Sequence, residues 1–255
     1  MRRFVRTVLP ARVRRYMAKK QREVDSGKPQ DVVWRRARST RAMQQVFDEL
    51  KRMAGARERC MFCEDSRGVD IEHFWPKTTY PGRTFVWENL VLSCAGCNRS
   101  KGTRFDLRED GLPMLIDPTS DDPWRHLFYD SRTGIVTPRF VPETGKPDPR
   151  GYYTIERSNI PFNVQAVTEG RLRTQRNLIR CLRRFLESVG LKTDRTAAEE
   201  ELLGCVDDNS DYGLTVWFFL ENGHTDSPFS DLRRQAEDVW NRIVNRVTGD
   251  IVPVS

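Results

Sequence analysis

Long hydrophobic runs are missing from this sequence. The most extended apolar stretches, such as Leu214–Leu220, cover a handful of residues, whereas a helix that crosses a bilayer needs roughly 20, so no membrane-spanning segment is expected. The opening Met1-Arg-Arg-Phe-Val-Arg6 has the charge of an export signal but no apolar stretch behind it, and the expected location is therefore the cytoplasm. No internal repeat stands out, and no G-x-x-x-x-G-K-[ST] pattern is present, so the chain brings no P-loop ATPase of its own. If ATP regulates it, a partner must bind the nucleotide. Global disorder is excluded as well. The chain has 255 residues, of which 38% are apolar, and a chain of that length buries roughly 70% of its unfolded surface.

What is present is unevenly distributed. The net charge is +7 and the pI is near 9.2. The first 59 residues hold 18 Lys or Arg against 6 Asp or Glu, a local balance of +12 that leaves the remaining 196 residues at −5. Clusters such as Arg12-Val-Arg-Arg15, Lys19-Lys20 and Arg35-Arg-Ala-Arg38 would attract phosphates through salt-sensitive counterion release. The same clusters also suit a solvated helix face.

Four of the six cysteines are patterned. Cys60-x-x-Cys63 and Cys94-x-x-Cys97 stand 30 residues apart, and each pair lets two thiolates converge on one side of a tight turn. Together they would close a tetrahedral structural zinc site with no open position for catalysis. Redox pairs or a disulfide frame fit poorly, since a reducing compartment opposes disulfides and no βαβ pattern flanks either pair. Cys181 and Cys205 fall singly in helical patterns and read as small buried apolar residues.

Between the two pairs, Val69–Lys77 and Phe85–Ser93 read as strands, and the second pair runs into a helical turn at Asn98-Arg-Ser-Lys-Gly-Thr103. Antiparallel pairing of the strands would bring Glu72, His73 and Asn98 within reach of one point. That grouping suits phosphodiester hydrolysis. His73, with an ordinary pKa near ~6.5, can serve as general base. Glu72 and Asn98 offer hard oxygen ligands that favour Mg²⁺ or Mn²⁺, and a divalent cation neutralises charge on the phosphate and leaving oxygen. Asn89 reads as an orienting residue that fastens the loop or holds the His73 ring. Lys101, three residues after Asn98, could meet a phosphate oxygen, as could Lys77 and Arg99. His126 and His224 are expected in turns and receive no catalytic role.

Cys60-x-x-Cys63, Ile71-Glu-His-Phe74, Trp87-Glu-Asn-Leu90 and Cys94-x-x-Cys97-Asn98-x-x-Lys101-Gly102 resemble the HNH endonucleases of the zinc-knuckle, ββα-metal type. The resemblance implies an endonuclease in which His73 is the base, Glu72 and Asn98 are metal ligands and Asn89 is structural. It departs from the family at Glu72, where Asp is commoner. Gly111–Leu127 and Leu9–Asp25 extend it to a bacterial subgroup, similar to the HNH nuclease subunit of Septu-type and retron-associated antiphage systems, over about residues 1–190. This similarity implies a defence effector acting on nucleic acid, DNA before RNA, beside an SMC-like ABC ATPase. A homing or restriction-type HNH nuclease, or a zinc-knuckle module that binds without cutting, are the alternatives.

The expected architecture is α+β: a basic helical N-terminal region (1–56), a ββα-metal (HNH) module with its four-cysteine zinc knuckle (57–130), a linker or weak hairpin (131–153) and a mainly helical C-terminal region (154–255). Arg38–Met53, Arg171–Val189, Thr196–Val206 and Ser230–Val247 carry apolar residues at helical spacing, each stripe a core face or a docking face. Arg173, Arg176, Arg180, Arg183 and Arg184 occupy the other faces of Arg171–Val189.

Overall fold

The computed structural model describes residues 2–191, 195–206, 213, 215, 217–222 and 227–248. His224 lies outside them. Among the described residues the expected α+β class is observed, as helices with three small two-stranded sheets. Two compact units are formed, one from residues 3–128 and 136–162, the other from 129–135 and the described residues after 162. Among the described residues, no helix is long and apolar enough to cross a membrane.

The first unit opens with α1 (Ala11–Asp25), α2 (Gln30–Ala37) and α3 (Arg41–Met53). Each turns an apolar stripe inward: Val13, Met17 and Val24 from α1, Val33, Trp34 and Ala37 from α2, Met43, Val46 and Leu50 from α3, the burial that holds amphipathic helices in place. The basic residues of α1 face outward, Arg12, Arg14, Arg15 and Lys19 among them. Helix α3 begins at Arg41 because Thr40 is extended, at φ −82° and ψ 155°.

Strands β1 (Asp70–His73) and β2 (Leu90–Ser93) pair antiparallel, with Glu72 opposite Val91 and His73 opposite Leu90. Both are shorter than their hydrophobic runs. Beyond His73 the Trp75 N–H is taken by the Asn89 side chain at 2.7 Å, and Pro76 has no N–H to donate, so the ladder ends. Upstream of β2, Trp87–Asn89 coil into a short 3₁₀ turn. Arg6 pins that turn by donating to the carbonyls of Trp87, Glu88 and Leu90 at 2.7–2.8 Å. Helix α4 (Ala95–Lys101) follows β2 directly and packs on β1.

Gly68 lies where the turn after Cys63 meets β2. A Cβ there would stand 2.2 Å from Leu92 Cγ, and Leu92 is fully buried. Gly68→Ala is expected to destabilise the unit by about 1–3 kcal/mol through overpacking. The denaturant midpoint checks this, and an unchanged midpoint would mean that Leu92 can yield.

The stretch 131–153 is more ordered than a linker. Strand β3 (Leu127–Tyr129) neighbours β4 (Val136–Pro138), β5 (Phe140–Val141) pairs with β6 (Lys146–Pro147), and a short helix α5 (Pro149–Tyr152) follows. Asp148 caps that helix through the Gly151 N–H and meets His126 Nδ1 at 3.0 Å, while Arg150 pairs with Asp121. His126 is thus a brace.

The second unit is mainly helical: α6 (Gln165–Gly190), α7 (Thr196–Cys205), α8 (Phe229–Gln235) and α9 (Glu237–Thr248). The single helix expected over Ser230–Val247 is two, broken at Ala236, whose φ of −150° and ψ of 64° are not helical. Leu178, Leu182 and Phe185 of α6 are buried, as are Leu202, Leu232, Val239 and Ile243, so these stripes form core. Tyr129, Trp217, Phe218, Phe219, Phe229 and Trp240 extend that core as an aromatic cluster. Cys181 is buried and Cys205 half-buried, with their sulfurs 2.8 Å apart.

Candidate functional site

The two cysteine pairs meet. The sulfurs of Cys60, Cys63, Cys94 and Cys97 all lie within 4.8 Å of one another and all four residues are buried. Backbone bonds set this up: Met61 N–H donates to Leu92 O and Val69 N–H to Ser93 O, each at 2.9 Å, tying the first turn to β2. Cys94 begins α4, and its sulfur accepts from the Cys97 N–H at 3.4 Å. So close together, the sulfurs hold their protons unequally. Hydrogen bonds from Cys60, Cys63 and Cys97 drive the Cys94 thiol far below the ordinary range, while hydrogen bonding with Cys60, Cys63 and Cys94 pushes Cys97 far above it. A buried four-cysteine set of this kind can hold a metal such as zinc, which binds cysteine sulfur as thiolate.

On β1 the side chains alternate, so Asp70 and Glu72 share one face and Ile71 and His73 the other. Helix α4 presents Asn98 and Lys101, three apart, to the acidic face. Asn98 Nδ2 reaches Asp70 Oδ2 at 3.3 Å. Lys101 Nζ donates to Glu72 Oε1 and to the His73 carbonyl, both at 2.9 Å. Lys101 therefore faces inward, 0% exposed, and is not a free phosphate contact. Burial lifts the Glu72 carboxyl and lowers the Lys101 ammonium, and each opposes the other's shift through their attraction.

His73 lies 3% exposed on the opposite face, so its ring is set against Thr84 and Trp34 and does not converge with Glu72 and Asn98 on one point as expected. Its Nε2 is 3.0 Å from the Thr84 carbonyl oxygen, and Trp34 of α2 stands edge-on with ring centroids 4.4 Å apart. A carbonyl accepts only, so Nε2 carries the proton and Nδ1 keeps its lone pair. Burial, with the nearby Lys77 charge, drives the imidazole pKa down to about 3, and the ring is neutral at working pH. Asn89 makes its side-chain hydrogen bonds elsewhere than to that ring. Its Oδ1 accepts from Trp75 N–H at 2.7 Å, and its Nδ2 donates to the Trp75 and Arg83 carbonyls at 3.1 and 2.9 Å, which fastens the loop between the strands. Lys77 is half-buried and Arg99 exposed.

A pH dependence follows. The unfolded His73 binds a proton near pH ~6.5 and the folded one only near 3, so the unfolded state gains protons first and stability falls as pH drops through that window. The loss between pH 7 and pH 5 is expected to be about 2 kcal/mol. His73→Gln, which keeps a donor for Thr84 O, should flatten melting temperature against pH over that range. Identical slopes in both proteins would count against a neutral buried imidazole.

Three participants escaped the sequence reading. Asp70 was legible, being two residues before Glu72 at the strand period. Trp34 and Thr84 were not, because each reaches His73 through tertiary packing.

No known protein-family profile matches the chain. It is similar to two curated proteins, both called Septu protein PtuB. The relative from Bacillus thuringiensis is 38% identical over 86 residues, 32% of this chain and 32% of that protein. The relative from Bacillus mycoides is 33% identical over 121 residues, 36% of this chain and 40% of that protein. The similarity thus spans between a third and two fifths of each relative.

Proposed function

We propose that the chain is a metal-dependent HNH endonuclease that hydrolyses phosphodiester bonds in nucleic acid, DNA first, as the effector of a bacterial antiphage system of the Septu kind. The observation that carries this reading is His73: a neutral imidazole with Nε2 fixed on a backbone carbonyl, its Nδ1 lone pair left to take a proton from water. The order β1, β2, α4 around four clustered cysteines is the arrangement that the zinc-knuckle ββα-metal resemblance implies. Similarity to the two Septu PtuB proteins supports the defence setting, in which an SMC-like ABC ATPase would be the partner that supplies nucleotide control.

Glu72 and Asn98 would hold a Mg²⁺ or Mn²⁺ ion, and Asp70, hydrogen-bonded to Asn98, adds a third hard oxygen donor nearby. Such an ion, when bound, stabilises negative charge on the phosphate and on the leaving oxygen. Lys101 opposes the upward push of burial on the Glu72 carboxyl, Asn89 holds the loop that carries Thr84, and Thr84 sets the His73 tautomer. Arg99 and Lys77, with Arg38 3.5 Å from Asp70, are basic side chains that can meet phosphate oxygens.

The test is cleavage of plasmid, single-stranded DNA and RNA with Mg²⁺ or Mn²⁺, with and without the ATPase. His73→Ala is expected to lower the rate about 10²–10⁴-fold while binding stays near wild type. Undiminished cutting by His73→Ala would remove the base assignment. Binding without cutting, in wild type under every condition, would leave a zinc-knuckle binding module.

A further inference from the structure

We propose that the exposed face of α6 is a second nucleic-acid contact, one that grips the phosphodiester backbone with a row of arginines. Helix α6 buries Val167, Leu178, Cys181, Leu182 and Phe185 and leaves Arg173, Arg176, Arg180, Arg183 and Arg184 on its outer side. At 100° per residue these five fall within about a third of the helix circumference, and from first to last they span ~16 Å. Arg176, Ile179, Arg180, Arg183, Arg184 and Glu187 line a groove of about 690 Å³ there.

Counter-charge on this face is sparse. Arg184 pairs with Glu201 at 2.8 Å and Arg180 approaches the same carboxylate at 4.0 Å, with both guanidiniums more than 60% exposed; such surface pairs hold weakly and can be exchanged for a ligand. Arg176 and Arg183 form no ion pair with any described residue. Like charges three and four apart on a helix repel, and Glu187 and Glu201 offset this row of five arginines only in part, so an anion that covers it relieves the rest.

The chemistry favours nucleic acid over an acidic protein. Every basic residue of α6 is Arg and none is Lys, and the planar guanidinium grips phosphate bidentately. Protein interfaces centre on apolar or aromatic anchors, yet Ile179 is the one apolar side chain lining this groove. The ~16 Å span matches about five successive phosphates of one duplex strand. The proposal rests on nucleic acid being the ligand of the chain, and it does not require cleavage.

The experiment uses the full chain carrying His73→Ala, with fluorescently labelled duplex DNA, single-stranded DNA and single-stranded RNA, and follows anisotropy from 50 to 200 mM KCl. Arg176→Glu with Arg183→Glu is compared with the charge-matched control Arg233→Glu with Arg234→Glu on α8, both folding-checked by thermal melts. The α6 pair is expected to weaken binding roughly tenfold or more at 100 mM KCl and to reduce the salt slope by about 2, one unit per lost phosphate contact. Arg176→Gln with Arg183→Gln should show the same slope change with a smaller loss. Equal weakening by the control pair would reduce the effect to net charge and overturn the proposal. So would an unchanged affinity, including the case in which the α6 variant instead loses an acidic protein partner. If the His73→Ala chain binds none of the three probes, the nucleic-acid reading fails along with it. Cleavage by the chain with His73 intact, together with an unaffected α6 variant, would sink this inference alone.

Discussion

Cys97→Ser is expected to lose bound zinc and to unfold the segment that the two cysteine pairs hold together. Purified wild-type protein should carry one zinc per chain by elemental analysis, and the variant much less than one. The size of the effect comes from linkage. A preformed set of four thiolates does not exist in the unfolded chain, so metal binding free energy becomes folding free energy, on the order of 10 kcal/mol for small zinc domains. The four sulfurs here sit within 4.8 Å of one another, and the turns that carry them are bonded to β2 through Met61 and Val69. Losing the site should therefore free β1 and α4 as well, with helices outside it persisting in circular dichroism. A zinc-free Cys97→Ser protein with wild-type melting and wild-type cleavage would refute a structural zinc centre.

Lys101→Met should be the most damaging change elsewhere in the site. The ammonium is 0% exposed and donates to Glu72 and to the His73 carbonyl. Methionine fills similar volume but leaves a buried carboxylate whose only ionic partner at hydrogen-bonding distance, among the described residues, is gone. Breaking a buried pair from one side costs roughly 3–5 kcal/mol, whereas replacing both partners is far milder. Urea denaturation should accordingly show a large loss for Lys101→Met and recovery of much of it in Glu72→Gln/Lys101→Met. If Lys101 instead served phosphate directly, the single variant would melt like wild type and bind nucleic acid more weakly, and that pattern would overturn the inward assignment.

The contrast between these two residues shows what was legible. Cys-x-x-Cys spacing is local, and two such pairs specify a tetrahedral site wherever the chain brings them together. The metal-binding cluster could thus be read from four letters and a count. Lys101 sits in an equally plain pattern, three residues after Asn98, but spacing only gives the face of α4 it occupies. Whether that face meets solvent or β1 depends on packing, and here it meets Glu72. Asn89 is intermediate: fastening the loop was one of its two readable roles, while its partners Trp75 and Arg83 were not readable. Strand β1 ends early because the Asn89 side chain took the Trp75 N–H that the hydrophobic run would have used for the ladder.

By itself the sequence determined the helix faces of α3 and α6, the cysteine cluster, the α+β class, and the row of arginines on α6. These follow from periods of 3.6 and 2 and from ligand spacing, all of which act within a few residues. Tertiary structure alone decided that Trp34 and Thr84 enclose His73, that its imidazole stays neutral, that Lys101 is a buried counter-ion, and that residues 136–162 belong with the first unit. Desolvation and long-range hydrogen bonds cause each of these, and both depend on which surfaces the folded chain brings into contact.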